Sequence, residues 1–146
     1  MSGLPFGAAQ TFDVPSELCT YDHVTGIEFV EFDPDLPYPR SSAYRVTPNG
    51  GQMRIRRQNP ELEEVELSAE EARELIEGLT QAGLFTWQRV YRPVQGTFVN
   101  AAREWRLEVS FDRPLHKRAS SFKVEGEHAY PDSYEQIVGL LIRSAG

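Results

Sequence analysis

The side chains best equipped for chemistry lie near the start of the chain. Cys19 precedes His23 by four residues, and Asp22 adjoins the histidine. A thiolate nucleophile needs a base within hydrogen-bond reach and a third group to orient it. Cys19, His23 and Asp22 together would therefore suit a small hydrolase or transferase. The plainer reading is a half-buried free cysteine beside a surface histidine. Metal chemistry has less to work with, because His23, His116 and His128 are widely spaced, with no cysteine pair and no His-x-x-x-His motif. No serine occupies a Gly-x-Ser-x-Gly elbow. Asn49-Gly50-Gly51 joins two strand-like runs, so it reads as a turn and not as a phosphate cradle before a helix. Carboxylates crowd Glu61 to Glu77. They fall at the start of a helix and on solvent-facing positions, whereas acid–base work needs two carboxyls in different environments. The expectation is no catalytic residue, no metal and no cofactor.

Binding chemistry is better supplied. Arg54 and Arg56 share the face opposite Met53 and Ile55, and Arg106 and Lys123 take the same polar positions on other strands. Were these strands neighbours, the wet face would carry a basic strip interrupted by Glu108 and Glu125. That strip is either a cross-strand ladder of opposite charges, worth roughly 0.2–1 kcal/mol per pair, or a docking face for an acidic partner; the ladder is the plainer reading. The segment Phe85 to Pro93 adds aromatics and arginines, the types that dominate interface energies. Trp87 and Phe85 are expected in the core. Tyr91 and Arg92 join Arg54, Arg56 and Arg106 as candidate partner-binding residues.

The elements that must position these groups follow from period and punctuation. Residues 1–20 mix Gly, Pro and Ser with scattered apolar residues and read as an arm, pinned by Phe6, Phe12 or Val14; residues 21–146 read as one domain. Val24 to Phe32 is rich in β-branched and aromatic types, a first strand. Three prolines make Asp33 to Pro39 a loop. Ser42–Thr47 and Gln52–Gln58 form a hairpin about the Asn-Gly-Gly turn, ended by Asn59-Pro60, and Glu64–Leu67 is a short edge strand or an extended lead-in. Ser68 with Glu71 forms a capping box. Behind it Ala72, Leu75, Ile76 and Leu79 make one helical stripe, closed by Gly83. Trp105, Leu107, Val109 and Phe111 alternate with polar residues, and Ser121–Glu125 pairs back. A last helix carries Tyr134, Ile137, Val138 and Leu141, with Pro131 near its first turn. The order is β-β-β-(β)-α-β-β-α. It predicts an α+β sandwich: an antiparallel sheet of four to six strands, one face wet, with two helices on the other.

Composition bounds the rest. The chain has 146 residues and a mass of 16.6 kDa, one domain of ordinary size. Its 40% hydrophobic and 11% aromatic content is that of a folded soluble domain. One cysteine excludes an internal disulfide framework. No apolar run approaches the ~18 residues of a membrane span, and Met1 to Phe6 lacks the basic start of a signal peptide. A bacterial cytoplasmic location is expected. The net charge of −7 argues against nucleic acid, which selects a basic excess. The charge is uneven, with 6 basic and 15 acidic side chains in residues 1–80 against 8 and 4 in residues 81–125. Internal complementarity between these parts is the plainer explanation.

Trp105-Arg106-Leu107-Glu108-Val109, followed by Gly126-Glu127-His128-Ala129-Tyr130-Pro131, resembles small bacterial α+β domains with Trp-x-Leu-x-Ile and Gly-Ser-x-x-Tyr-Pro at like positions. Glu127 stands where those domains carry serine. The β-β-α-β-β-α order, with an acidic capped helix ending in Ala82-Gly83-Leu84-Phe85, is also similar to emfourin, a protein inhibitor of thermolysin-like metalloproteases. No motif residue carries over from it. The resemblance implies a class only: a small domain that acts by binding another protein, as an inhibitor or accessory subunit. The alternative is the hydrolase or transferase site near Cys19, Asp22 and His23. Self-association into a homodimer through exposed edge strands is a third expectation.

Overall fold

The computed structural model describes residues 14–57, 60–93, 103–115 and 120–143. Phe6, Phe12 and His116 lie outside the described residues. Seven strands form one sheet in the order β4-β3-β2-β1-β6-β7-β5. Their ranges are β1 Val24–Phe32, β2 Arg40–Thr47, β3 Gly50–Arg57, β4 Glu63–Ser68, β5 Val90–Tyr91, β6 Glu104–Phe111 and β7 Ser121–Glu127. Two helices, α1 Ala69–Gln81 and α2 Tyr134–Arg143, pack on one face: α1 lies on β3 and β4, α2 on β2 and β3. β4 and β5 sit at opposite edges, so the chain between them crosses the whole helix side.

The expected antiparallel sheet of four to six strands is corrected in two respects. Among the described residues there are seven strands, and the sheet is mixed, because β5 runs parallel to β7. β5 has only two residues, too few to show a period, and Arg89 and Arg92 flank it. The doubtful segment before α1 is a full edge strand, registered against β3 from Gly50↔Ser68 to Ile55↔Glu63. Every other pairing is antiparallel.

Local chemistry explains the elements. The Ser68 hydroxyl accepts from the Glu71 N–H, and the Glu71 carboxylate accepts from the Ser68 N–H, so the capping box is complete. Gly83 follows α1 with φ +92°, the left-handed conformation in which a side chain is strained. At the β2–β3 turn a Cβ on Gly50 would lie 2.0 Å from the Leu67 carbonyl oxygen, so only glycine fits. One irregularity rephases β1. Its register against β6 shifts between Val24 and Gly26, a bulge that turns both Val24 and Ile27 toward the helices. The far end of α2 is tied to the sheet: the Ser42 hydroxyl donates to the Leu141 carbonyl at 3.3 Å and the Arg57 guanidinium to that of Ile142 at 2.8 Å.

The core lies between sheet and helices. Ala72, Leu75, Ile76 and Leu79 of α1 and Tyr134, Ile137, Val138 and Leu141 of α2 are buried. Trp105, Leu107, Val109 and Phe111 oppose them from β6, while Arg106 is exposed on the other face. Each such aliphatic side chain contributes about 1.5–3 kcal/mol on full burial. Of the expected arm, residues 16–18 form a 3-10 turn whose Leu18 is buried in the core, and Val14 packs against it.

Candidate functional site

The helix-free face of the sheet is a broad polar surface on which the strand registers bring charged side chains into rows. Two cross-strand rows run across its centre. One comprises Glu64, Arg54, Ala43, Glu28, Glu108 and Lys123; the next, Arg56, Ser41, Val30, Arg106, Glu125 and Val90. Val30 of β1 and Ser41 and Ala43 of β2 are short here, while Glu28, Arg45 and the β6 and β7 residues Arg106, Glu108 and Lys123 reach further out. That difference in reach carves the surface. A depression of about 630 Å³ lies over Val30, Ser41 and Ala43, walled by Arg106, Glu108 and Lys123 and by Arg89 and Val90 of the β5 edge. Two smaller depressions adjoin it, one toward Gly26, Arg45 and Arg54, the other toward Phe32, Tyr91 and Glu104.

The charges on this face fall into two sets. Arg54 pairs with Glu64 at 3.0 Å, and Lys123 approaches Glu108 at 4.0 Å. Arg45 donates to Gln52, which donates to Glu66. These are the rungs of the expected ladder. Arg56 and Arg106, by contrast, make no ion pair among the described residues, and the Arg56 Nε is buried without a hydrogen-bond acceptor. Arg106 stands opposite Glu125 without pairing to it. The five candidate residues therefore separate. Arg54, Arg56 and Arg106 share the face, with Arg54 already paired. Tyr91 and Arg92 border it at the β5 edge. There Arg92 pairs with Glu127 at 2.8 Å, and the Tyr91 ring lies 5.8 Å from that of Trp105 while its hydroxyl accepts from the Gln88 N–H. Trp87 is buried and Phe85 partly buried, as their pattern predicts.

The cysteine–histidine group has a different geometry from the one drawn on the sequence. The Cys19 thiol points to the Pro15 carbonyl at 3.6 Å, and burial pushes its pKa up to about 11, the reverse of nucleophile activation. The carboxylate that meets His23 Nδ1 is Asp112, at 3.0 Å, and not the neighbouring Asp22. Asp112 follows β6, and the contact spans the ends of β1 and β6; nothing in the sequence spacing brings these two together.

Sequence reasoning missed one cluster on the helix side. Glu31, 5% exposed, takes a two-pronged contact from Arg40 at 3.0 and 3.1 Å and the hydroxyl of Tyr134. Burial first, and then the Glu31 hydrogen bond and charge, hold the Tyr134 phenol well above its ordinary range, so it donates as a neutral group. Tyr134 belongs to an aromatic assembly with Phe29, Trp87, Trp105 and Tyr130. The signal was present: Glu31 is in phase with Ile27 and Phe29, so period two alone puts it inside. The Trp105…Gly126…Tyr130 pattern has the same structural origin. Gly126 lies opposite Trp105, whose indole donates to the Ala129 carbonyl at 2.9 Å while Tyr130 stacks on its ring.

Among the described residues no group of three or more His, Cys, Asp or Glu is gathered for a metal, and no helix is long and apolar enough to cross a membrane. Comparison with protein-family models, with curated proteins and with solved structures finds no match.

Proposed function

We propose that this chain is a non-enzymatic binding domain, an inhibitor or accessory subunit, that docks another protein on its helix-free sheet face with Arg56 and Arg106 as cationic anchors. The observation that carries this reading is that those two guanidinium groups, on either side of Val30 and Ser41 in one cross-strand row, make no ion pair among the described residues. Arg106 stands at the side of the depression, and an arginine without an ion pair offers planar, two-pronged recognition to a carboxylate without first breaking an existing pair. The competing enzymatic reading draws little support from a thiol kept protonated by burial.

Immobilised full-length chain, exposed to a lysate of its source cells, tests the proposal. The double variant Arg56→Glu with Arg106→Glu is compared with Arg73→Glu with Arg113→Glu, which changes the same charge away from this face. The expected result is a protein retained by the wild type and the control and lost, about tenfold or more, by the first variant. Equal retention by both variants would remove the face from consideration.

A further inference from the structure

We infer that the aromatic assembly around Trp105 is a one-electron relay: an oxidising equivalent that reaches either tryptophan is drawn to Tyr134, which gives its electron to the indole and its proton to Glu31. Both tryptophans of the chain belong to the assembly. The ring centres of Trp87 and Trp105 are 5.5 Å apart, and Trp105 lies 5.0 Å from Tyr134. Tyr134 in turn lies 4.7 Å from Tyr130. Rings at these separations are neighbours in direct packing, so an electron crosses no wide gap. Trp105 is fully buried and Tyr130 is 37% exposed, so the series runs from the core to the surface.

Proton chemistry selects the resting place. An indole stripped of an electron is a cation. The Trp105 N–H is bound to the Ala129 carbonyl, too weak a base to take its proton, so the cation stays strongly oxidising. A phenol gives up an electron readily only when its proton can leave with it, because a phenol cation is a very strong acid. The three tyrosines beside Trp105 differ in this respect. The Tyr91 oxygen accepts from the Gln88 N–H, and the Tyr130 oxygen accepts from the Arg103 guanidinium. Tyr134 instead donates to the buried Glu31 carboxylate. The step balances: the Trp105 cation, the Tyr134 phenol and the Glu31 carboxylate become neutral Trp105, a Tyr134 phenoxyl radical and a Glu31 carboxylic acid. The oxidant's positive charge and that of the carboxylate cancel, so no additional charge is left in the core, where it would be costly. Arg40 loses its partner but is partly exposed and keeps the Glu135 carboxylate at 3.9 Å. An external reductant such as ascorbate reverses the step by way of exposed Tyr130: it supplies one electron, and Glu31 returns the proton.

Laser-flash oxidation of the full chain tests the relay. Light absorbed at the red edge of the tryptophan band, with chloropentaamminecobalt(III) as an irreversible one-electron acceptor, makes the indole radical at Trp87 or Trp105. In the wild type the indole absorbance should decay as phenoxyl absorbance rises, and more slowly in heavy water because a proton moves. Tyr134→Phe keeps the ring and removes only the hydroxyl. Its indole radical should live at least about tenfold longer, with the phenoxyl rise lost. Tyr91→Phe should leave decay and rise unchanged. Glu31→Gln keeps an acceptor but not a base, and should slow the transfer by about tenfold while the near-ultraviolet circular dichroism shows the rings in place. A phenoxyl rise undiminished in Tyr134→Phe, no phenoxyl rise in the wild type, or equal rates in light and heavy water would overturn the relay, and these three readings stand whether or not Glu31→Gln folds.

Discussion

Tyr44 shows how a single group sets a measurable property. Its ring is buried and its hydroxyl has no partner among the described residues. Burial pushes its pKa up to about 12, with the nearby Tyr21 adding to the shift. The neutral form is therefore the one the fold favours. Its contribution is intact below the ordinary phenol pKa near 10 and disappears as pH rises toward 12. Tyr44→Phe removes an orphaned hydroxyl and should stabilise the protein by about 1 kcal/mol, or roughly 3–5 °C in Tm. The gap between variant and wild type should widen between pH 10 and 12 in thermal melts. Glu31 is the opposite case. Glu31→Ala would leave the Tyr134 hydroxyl and the Arg40 guanidinium without their shared acceptor. We expect a loss of about 3 kcal/mol in urea unfolding, the lower end of the range for a broken buried pair, because Arg40 keeps some access to water. A residue like Glu31 is legible in phase but not in partnership. Period two buries it, while Arg40 and Tyr134, nine and 103 positions away, come to it only in the folded chain.

At the scale of elements, patterns that repeat were readable and those that do not were missed. Both helices were legible because four apolar positions at helical spacing state a face unambiguously, and Ser68 with Glu71 marks where α1 begins. The β2–β3 hairpin was legible from its glycines. β5 was not: two residues cannot alternate, and a parallel partner from β7 is a tertiary fact. The bulge in β1 was equally hidden, since its only trace is a three-residue step from Val24 to Ile27. Gly126 could be seen as part of a pattern but not explained. A Cβ there would lie 2.2 Å from the Trp105 indole nitrogen and 2.7 Å from the Ala129 carbonyl oxygen. Gly126→Ala should therefore cost about 2 kcal/mol or more. Loss of the near-ultraviolet tryptophan signal in circular dichroism should accompany it, as the Trp105 ring is displaced. An unchanged signal and melt would mean that the strand tolerates the methyl.

Across the whole molecule the uneven charge is resolved mostly between near neighbours. Arg54 meets Glu64, Arg57 meets Glu63 and Lys123 approaches Glu108, each across one strand pair. Arg103 with Asp33, at 3.2 Å, joins the acidic first part to the basic middle. The edge strand β4 carries Glu63, Glu64 and Glu66, so antiparallel addition of a second β4 would bring like charges together near neutral pH. The face was legible in sequence as a strip of alternating charge; the depression was not, because it arises only when Val30, Ser41 and Ala43 of β1 and β2 are laid beside the longer side chains of β6, β7 and the β5 edge. Covalent labelling with phenylglyoxal, which modifies exposed arginines, tests the docking face most directly when applied to the free chain and to its complex with the protein captured from the lysate. Protection of Arg56 and Arg106, with Arg73 and Arg113 labelled equally in both states, is the predicted result. Full labelling of Arg56 and Arg106 in the complex would contradict it.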